Sequence, residues 1–205
     1  MRTRPLLAAA RTLILLGITA PACLMPGCAG FGLGGGPLIA TSADGHASLA
    51  PSLPLGVYRP IDDNTADFYL TDIPLARLAD PADRLSDISG NILHVHLFLI
   101  PKAGKTPIDA TASNVAARLI VVASGAVGVY GGGGFMMPSG TPGDSSMGGN
   151  LEEASMRLVR ASADFADRLG PCELKGAVSA RLDEAGARDI GAKVDQLFSA
   201  TKPVR

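Results

Sequence analysis

Residues 91–100, NILHVHLFLI, are the longest apolar stretch in the chain with the pattern of a β-strand. Side chains alternate between the two faces of a strand, so a period of two divides the stretch into two sets. One face carries Leu93, Val95, Leu97 and Leu99, and the other carries Ile92, His94, His96, Phe98 and Ile100. Pro101 cannot continue a strand ladder and is predicted to end it. The chain is therefore expected to be organised around a β-sheet.

A hairpin is predicted further along the chain, where Ser124 and Gly125 join two apolar runs, VAARLIVVA and AVGVY. A two-residue connection containing Gly suits the positive φ of a primed turn. The register follows from the turn. The expected cross-strand pairs are Ala123 with Ala126, Val122 with Val127, Ile120 with Val129, and Leu119 with Tyr130.

The composition favours short strands and turns over long packed helices, since 25 Gly and 15 Pro accompany six Phe, three Tyr and no Trp. The predicted fold is mainly β (α+β), an antiparallel meander or sandwich of about six strands with a C-terminal helix. A first short strand is expected in residues 66–74, at an edge of the sheet. Asp183 is expected to cap the helix, whose apolar residues are Ala187, Ile190, Val194, Leu197 and Phe198.

Residues 151–169 fit two structures. As a helix, Asn150 would cap the segment and Gly170 would stop it. As a strand, residues 153–158 alternate between polar and apolar side chains. We favour the strand because antiparallel neighbours in sequence pair most readily, and we keep a second helix at 151–169 as the alternative. Residues 138–150, rich in Gly, Pro and Ser, are predicted to be a loop.

The formal net charge is −1, and Lys and Arg are scattered along the chain. A nucleic-acid partner is therefore not expected, because such partners are bound by clustered basic residues. The chain also lacks the H-E-x-x-H motif, a nucleophile elbow and a paired-carboxylate catalytic motif. We predict no cofactor.

The N-terminus has the pattern of an export signal. Arg2, Arg4 and Arg11 precede an apolar stretch, LILLGITAPACLM, that is too short to span a bilayer. The sequence Met25-Pro26-Gly27-Cys28 that follows resembles the lipobox of bacterial lipoproteins, in which a small residue precedes the acylated cysteine. This resemblance implies a signal peptide over residues 1–27 and a membrane anchor through acyl chains on Cys28.

An alternative cleavage site precedes Cys23, where Ala20-Pro21-Ala22 also fits processing of a secreted, soluble protein. The preferred expectation is a lipid-anchored protein of the bacterial cell envelope. Residues 28–56 are then a flexible tether, because they show no sustained period, and residues 57–205 form one β-rich domain. Cys172 would be the one free thiol of the mature chain, and a small buried residue is favoured over a cysteine that pairs with another molecule.

His94 and His96 are the one short-range pair with metal-ligand chemistry. Residues two apart on a strand project to the same face, about 6 to 7 Å apart, which suits two imidazoles on one metal. Their face also carries apolar residues, so a hydrogen-bonded pair is favoured over a metal site. A third ligand would be His46 or a carboxylate.

A glycine run, Gly131, Gly132, Gly133 and Gly134, precedes Phe135. The favoured interpretation is a bulged or bent strand end, and the alternative is close approach of a ligand to the backbone. Three functions follow in order of preference. The first is a non-catalytic envelope protein that binds or scaffolds a partner, the second a small-ligand binder using Gly131–Gly134 and Phe135, and the third a metal-dependent enzyme using His94 and His96.

Overall fold

Ten strands and two helices form the part of the chain that the computed structural model describes, residues 36–80, 88–101 and 112–204. The prediction of a mainly β fold with a C-terminal helix is confirmed, whereas the expected number of about six strands is wrong. The elements are β1 Ile39–Ser42, β2 Ser48–Leu49, β3 Leu55–Pro60, β4 Ala66–Thr71, α1 Leu75–Ala79, β5 Gly90–Leu97, β6 Val115–Ala123, β7 Ala126–Ser139, β8 Ser146–Ala161, β9 Cys172–Leu182, α2 Glu184–Ala200 and β10 Lys202–Pro203.

The sheet closes on itself. Strands β3 to β9 follow one another as antiparallel neighbours. The sheet is closed by a parallel contact between β9 and β3. The β3–β9 contact is short, joining Val57 to Arg181 and Tyr58 to Leu182. The rest of that edge of β9 pairs with β1, which in turn pairs with β2. Closure gives each of the seven strands β3 to β9 a neighbouring strand on both sides.

Period-two alternation separates two apolar clusters on the two faces of this closed sheet. Leu93, Val95 and Leu97 belong to the cluster on the inner face, together with Phe68 and Tyr130. The second cluster lies between the outer face and helix α2, and it includes Ile92, Ile120, Val129, Ile190, Val194 and Leu197. Strand β4 is buried at all six residues because both of its faces are covered. It was predicted at an edge, which is wrong, since it lies between β3 and β5.

The hairpin and the C-terminal helix are confirmed. Ser124 and Gly125 have φ values of 49° and 85°, as a type I′ turn requires, and all four predicted cross-strand pairs are present. Asp183 caps α2 by accepting a 2.9 Å hydrogen bond from the Gly186 amide. The buried face of the helix is the predicted one, with Phe198 partly buried beside it.

Residues 151–169 are not a second helix, because β8 runs to Ala161 and pairs with both β7 and β9. The loop predicted at 138–150 is too long, since β7 runs to Ser139 and β8 begins at Ser146. Pro138, Gly148 and Gly149 belong to the β7–β8 ladder. At Gly149 a Cβ atom would lie 2.4 Å from the Met137 carbonyl oxygen, so glycine is required for the two strands to pair.

The predicted tether, residues 28–56, differs from the structure where the two overlap. Strands β1 and β2 lie inside this range, with Leu38 and Ala40 buried in the inner cluster. The segment is ordered because β1 completes the free part of the β9 edge. Residues 28–35 lie outside the described residues, as do both candidate lipidation sites, Cys28 and Cys23.

Strand β5 ends at Leu97 instead of running to Ile100. Phe98 still donates one backbone hydrogen bond to Asn114, but the side chains of Phe98 and Leu99 are exposed. Within the described residues, neither helix has the length and apolar character needed to cross a membrane.

Candidate functional site

His94 and His96 converge on a carboxylate that the sequence analysis did not single out. On the outer face of the sheet, Asp67 is the cross-strand partner of His96, and Tyr69 is the partner of His94. The Asp67 Oδ1 atom lies 3.1 Å from His94 Nε2 and 2.8 Å from His96 Nδ1. Its Oδ2 atom accepts hydrogen bonds of 3.1 and 2.8 Å from Arg59 Nε and Nη2. We refer to Arg59, Asp67, His94 and His96 as the Asp67 cluster.

The Asp67 carboxylate is ionised and accepts every hydrogen bond in this cluster. Burial alone would raise its pKa, but the hydrogen bonds from His94, His96 and Arg59 outweigh burial and hold the pKa well below its usual range. Because an ionised carboxylate only accepts hydrogen bonds, His94 carries its proton on Nε2 and His96 carries its proton on Nδ1. His96 Nε2 is therefore the imidazole nitrogen left to meet solvent, on a side chain that is 37% exposed.

Tyr69 packs over the cluster and restricts His94. The two rings are stacked, with centroids 4.6 Å apart and planes inclined by 5°. Burial, with the charge of Asp67, raises the pKa of Tyr69 to about 12. His94 Nδ1 is buried and has no hydrogen-bond partner among the described residues.

The predicted metal pair thus forms a hydrogen-bonded network around one carboxylate. Within the described residues there is no group of three or more His, Cys, Asp or Glu side chains that could hold a metal ion. The other candidate ligand, His46, lies exposed in the turn between β1 and β2. Metal binding by His94 and His96 remains a prediction.

The glycine run lies in the middle of β7, flanked by β6 and β8, and does not end the strand. At Gly132 a Cβ atom would be 1.8 Å from the Ser155 carbonyl oxygen, and at Gly134 it would be 2.1 Å from the Glu153 carbonyl oxygen. The chain that approaches these glycines closely is therefore β8 itself. Register shifts on both sides of the run, at Val129/Tyr130 and Phe135/Met136, accompany the bending of the strand.

A polar cavity of about 410 Å³ does lie beside part of this run. Gly133, Gly134 and Phe135 line it together with Glu152 and Glu153 of β8. Gly131 and Gly132, which were also predicted to contact a ligand, are not among its lining residues. Ligand binding here remains a prediction.

A second cavity, of about 460 Å³, lies where the β6–β7 turn, strand β2 and the connection from β8 to β9 meet. We call it the end pocket. Its lining is largely apolar and includes Leu49, Val121, Tyr130, Phe165 and Leu169. Two charged side chains, Asp164 and Arg168, also line it, and both are exposed.

The 162–171 connection that forms one wall of the end pocket is held by hydrogen bonds. Asp167 Oδ1 accepts a 2.6 Å hydrogen bond from the Tyr130 hydroxyl and further hydrogen bonds from the amides of Leu169 and Gly170. Ser162 donates its amide to Val127 O and accepts the Val127 amide at Oγ. Burial, followed by the bond to Asp167, raises the pKa of Tyr130. The pocket wall is therefore pre-formed.

Phe165 is positioned by a glycine beneath it. A Cβ atom at Gly128 would lie 2.2 Å from Phe165 Cζ, so the ring packs directly on the strand backbone. Phe165 also packs edge to face with Tyr130, with centroids 6.4 Å apart and an interplanar angle of 72°. Cys172 belongs to the inner cluster, as expected, and burial raises the pKa of its thiol.

Sequence reasoning missed the end pocket because its lining comes from three separate segments. Phe165 lies in a stretch, Asp164-Phe165-Ala166-Asp167, that has no strand or helix period. Asp67 was missed for a related reason, since its contacts depend on which strand pairs with β5. No protein-family model, curated protein or solved structure matches the chain.

Proposed function

We propose that the protein is a non-catalytic binding module and that its ligand is a small, largely apolar molecule held in the end pocket. The observation that carries this proposal is the pre-formed pocket of about 460 Å³ between Tyr130, Phe165 and Leu169. Ligand pockets in proteins usually measure about 300 to 1,000 Å³ and are lined mainly by apolar and aromatic groups. The proposal takes its non-catalytic character from the first predicted function and its small ligand from the second, and it moves the site away from Gly131–Gly134.

Burial of apolar surface would supply the affinity. Each methylene group removed from water contributes about 0.8 kcal/mol, and the pocket wall needs no reordering because hydrogen bonds already hold it. The Tyr130 hydroxyl already donates its hydrogen bond to Asp167. It therefore has no proton left to donate to a polar group of the ligand.

We also propose that the protein is exported and anchored to the bacterial cell envelope through acyl chains on Cys28. The support is the leader sequence, with its three early arginines and the lipobox-like Met25-Pro26-Gly27-Cys28. Mass spectrometry of the N-terminal peptide from the membrane fraction tests this. A diacylated Cys28 is expected, and an unmodified N-terminus at Cys23 would indicate the secreted form.

The binding proposal is tested with N-phenylnaphthylamine, an uncharged fluorophore whose emission rises in apolar surroundings. We expect saturable binding by the wild-type protein. Val121→Phe adds a ring to the pocket lining and should weaken binding at least about ten-fold, which corresponds to about 1.4 kcal/mol.

Val204→Phe is the matched control, because Val204 is exposed and does not line the end pocket. It should bind the probe like the wild type. Equal probe affinity in the Val121→Phe and Val204→Phe variants, at similar thermal stability, would place probe binding elsewhere.

A second candidate function is ligand binding in the polar cavity beside Phe135. Glu152 and Glu153 face this cavity together with the backbone of Gly133 and Gly134, which suits a ligand that donates hydrogen bonds. Glu153→Gln should lower the affinity of the polar cavity for such a ligand. It should leave the affinity of the end pocket for N-phenylnaphthylamine unchanged.

A further inference from the structure

We infer that the ligand of the end pocket is a single-chain amphiphile with a zwitterionic head group, an inference that rests on the proposed function. The apolar lining would take the chain, and the charged pair at the mouth would select the head. Asp164 and Arg168 are the two ionisable side chains that line the pocket, and they carry opposite charges.

Both charges are available to a ligand. Asp164 and Arg168 are exposed, and neither forms an ion pair or a side-chain hydrogen bond within the described residues. They lie in the same connection between β8 and β9 but are not bonded to each other. An ammonium group can therefore meet Asp164 while a phosphate or carboxylate meets Arg168.

The connection that carries the two side chains is held in place. Between them, Asp167 accepts three hydrogen bonds, and this fixes the backbone of the segment relative to Tyr130. The backbone that carries the two charges is therefore fixed, and only the two exposed side chains are ordered when a head group arrives.

A head group with a single charge fits this mouth less well. An anionic head would be attracted by Arg168 and repelled by Asp164, and a cationic head would meet the opposite combination. A neutral head group would be attracted by neither Arg168 nor Asp164. Exposed ion pairs contribute about 0.2 to 1 kcal/mol, so each charge should change affinity by about 1.4- to five-fold.

The test uses four amphiphiles with the same dodecyl chain, kept below their micelle concentrations: dodecylphosphocholine, dodecyl sulfate, dodecyltrimethylammonium and dodecyl maltoside. Each displaces N-phenylnaphthylamine from the full-length protein. We expect dodecylphosphocholine to bind about two- to five-fold more tightly than any of the other three.

Two variants assign the preference to the two residues. Arg168→Gln should remove the advantage of dodecylphosphocholine over dodecyltrimethylammonium, and Asp164→Asn should remove its advantage over dodecyl sulfate. Arg157→Gln, at an exposed position outside the pocket lining, is the matched control and should keep the wild-type order.

Two negative results can be told apart. The head-group inference is wrong if dodecyl maltoside binds as tightly as dodecylphosphocholine, or if Arg168→Gln and Asp164→Asn keep the wild-type order of affinities. Either result leaves the proposed binding of apolar ligands in the end pocket unaffected. If no amphiphile displaces the probe and Val121→Phe has no effect on it, the proposed function fails as well.

Discussion

The Phe165 ring packs against the backbone of Gly128, at a distance that leaves no room for a Cβ atom on the glycine. This contact joins the wall of the end pocket to strand β7, which carries Tyr130 two residues later. A single glycine on the strand therefore determines where the aromatic side of the pocket lies.

Gly128→Ala should displace Phe165 and damage the pocket. The added methyl group would lie 2.2 Å from Phe165 Cζ, so the ring must move. We expect a loss of about 1 to 3 kcal/mol in the free energy of unfolding and a drop of about ten-fold in N-phenylnaphthylamine affinity. Gly36→Ala is the control, because a Cβ atom there meets nothing within 4 Å. Unchanged probe affinity in Gly128→Ala would contradict the role of Phe165 as a pocket wall.

Asp67→Asn should destabilise the protein at neutral pH. The variant removes a buried charge that three side chains contact, but two of these, Arg59 and His96, are each 37% exposed, which weakens their contribution. We expect a loss of about 1 to 3 kcal/mol in the free energy of unfolding at pH 7. Urea denaturation of the wild type and the variant measures it. The control, Asp63→Asn in the exposed turn after β3, should change stability by less than about 0.5 kcal/mol.

The difference between wild type and Asp67→Asn should depend on pH with a defined sign. The pKa of Asp67 is lowered on folding, so its contribution is complete above the unfolded pKa of about 3.9 and is lost as pH falls through the lower folded value. The stability difference should therefore shrink as the pH is lowered from about 5 to about 2. A difference that does not shrink over this range would contradict the ionised state of Asp67.

Local patterns predicted local structure well. The Ser124-Gly125 turn fixes its own register, and the cap at Asp183 acts on the next turn of the chain, so both were readable from neighbouring residues. The strand at 153–158 was also readable, because its alternation matches a strand with one buried face.

Contacts between distant segments could not be read in the same way. Strand β1 is a strand because it completes the β9 edge, and its four residues, IATS, carry little signal alone. The convergence of Asp67 on two histidines depends on β4 pairing with β5, and the end pocket depends on closure of the sheet. Glycine composition misled the loop assignment at 138–150, since glycine serves both turns and closely packed strands.

Gly132→Ala and Gly131→Ala should lower the free energy of unfolding by different amounts. The added methyl group would meet backbone atoms at Gly132 and a side chain at Gly131. The Gly132 methyl group would lie 1.8 Å from a backbone oxygen of β8, which cannot move without breaking the ladder. The Gly131 methyl group would meet only side-chain atoms of Val159, the nearest being Cγ2 at 3.1 Å, and a side chain can shift. We expect a loss of about 3 kcal/mol or more for Gly132→Ala and less than about 1 kcal/mol for Gly131→Ala, measured by urea denaturation. Equal losses would mean that the close approach of β8 is not what requires glycine.

Asp183→Ala should show that the cap of α2, and not an ion pair, stabilises the start of the helix. Asp183 accepts the Gly186 amide at 2.9 Å through Oδ1 and also pairs with Arg181 at 3.0 Å through Oδ2. The Arg181 side chain is 64% exposed, so the ion pair contributes little, whereas removal of an N-cap costs about 1 kcal/mol. We therefore expect Asp183→Ala to lower the free energy of unfolding by about 1 kcal/mol and Arg181→Ala by less than about 0.5 kcal/mol. Asp183→Ser keeps an accepting oxygen at the cap and should recover most of the loss. If Arg181→Ala costs as much as Asp183→Ala, the ion pair is the source of the stability and the cap is not.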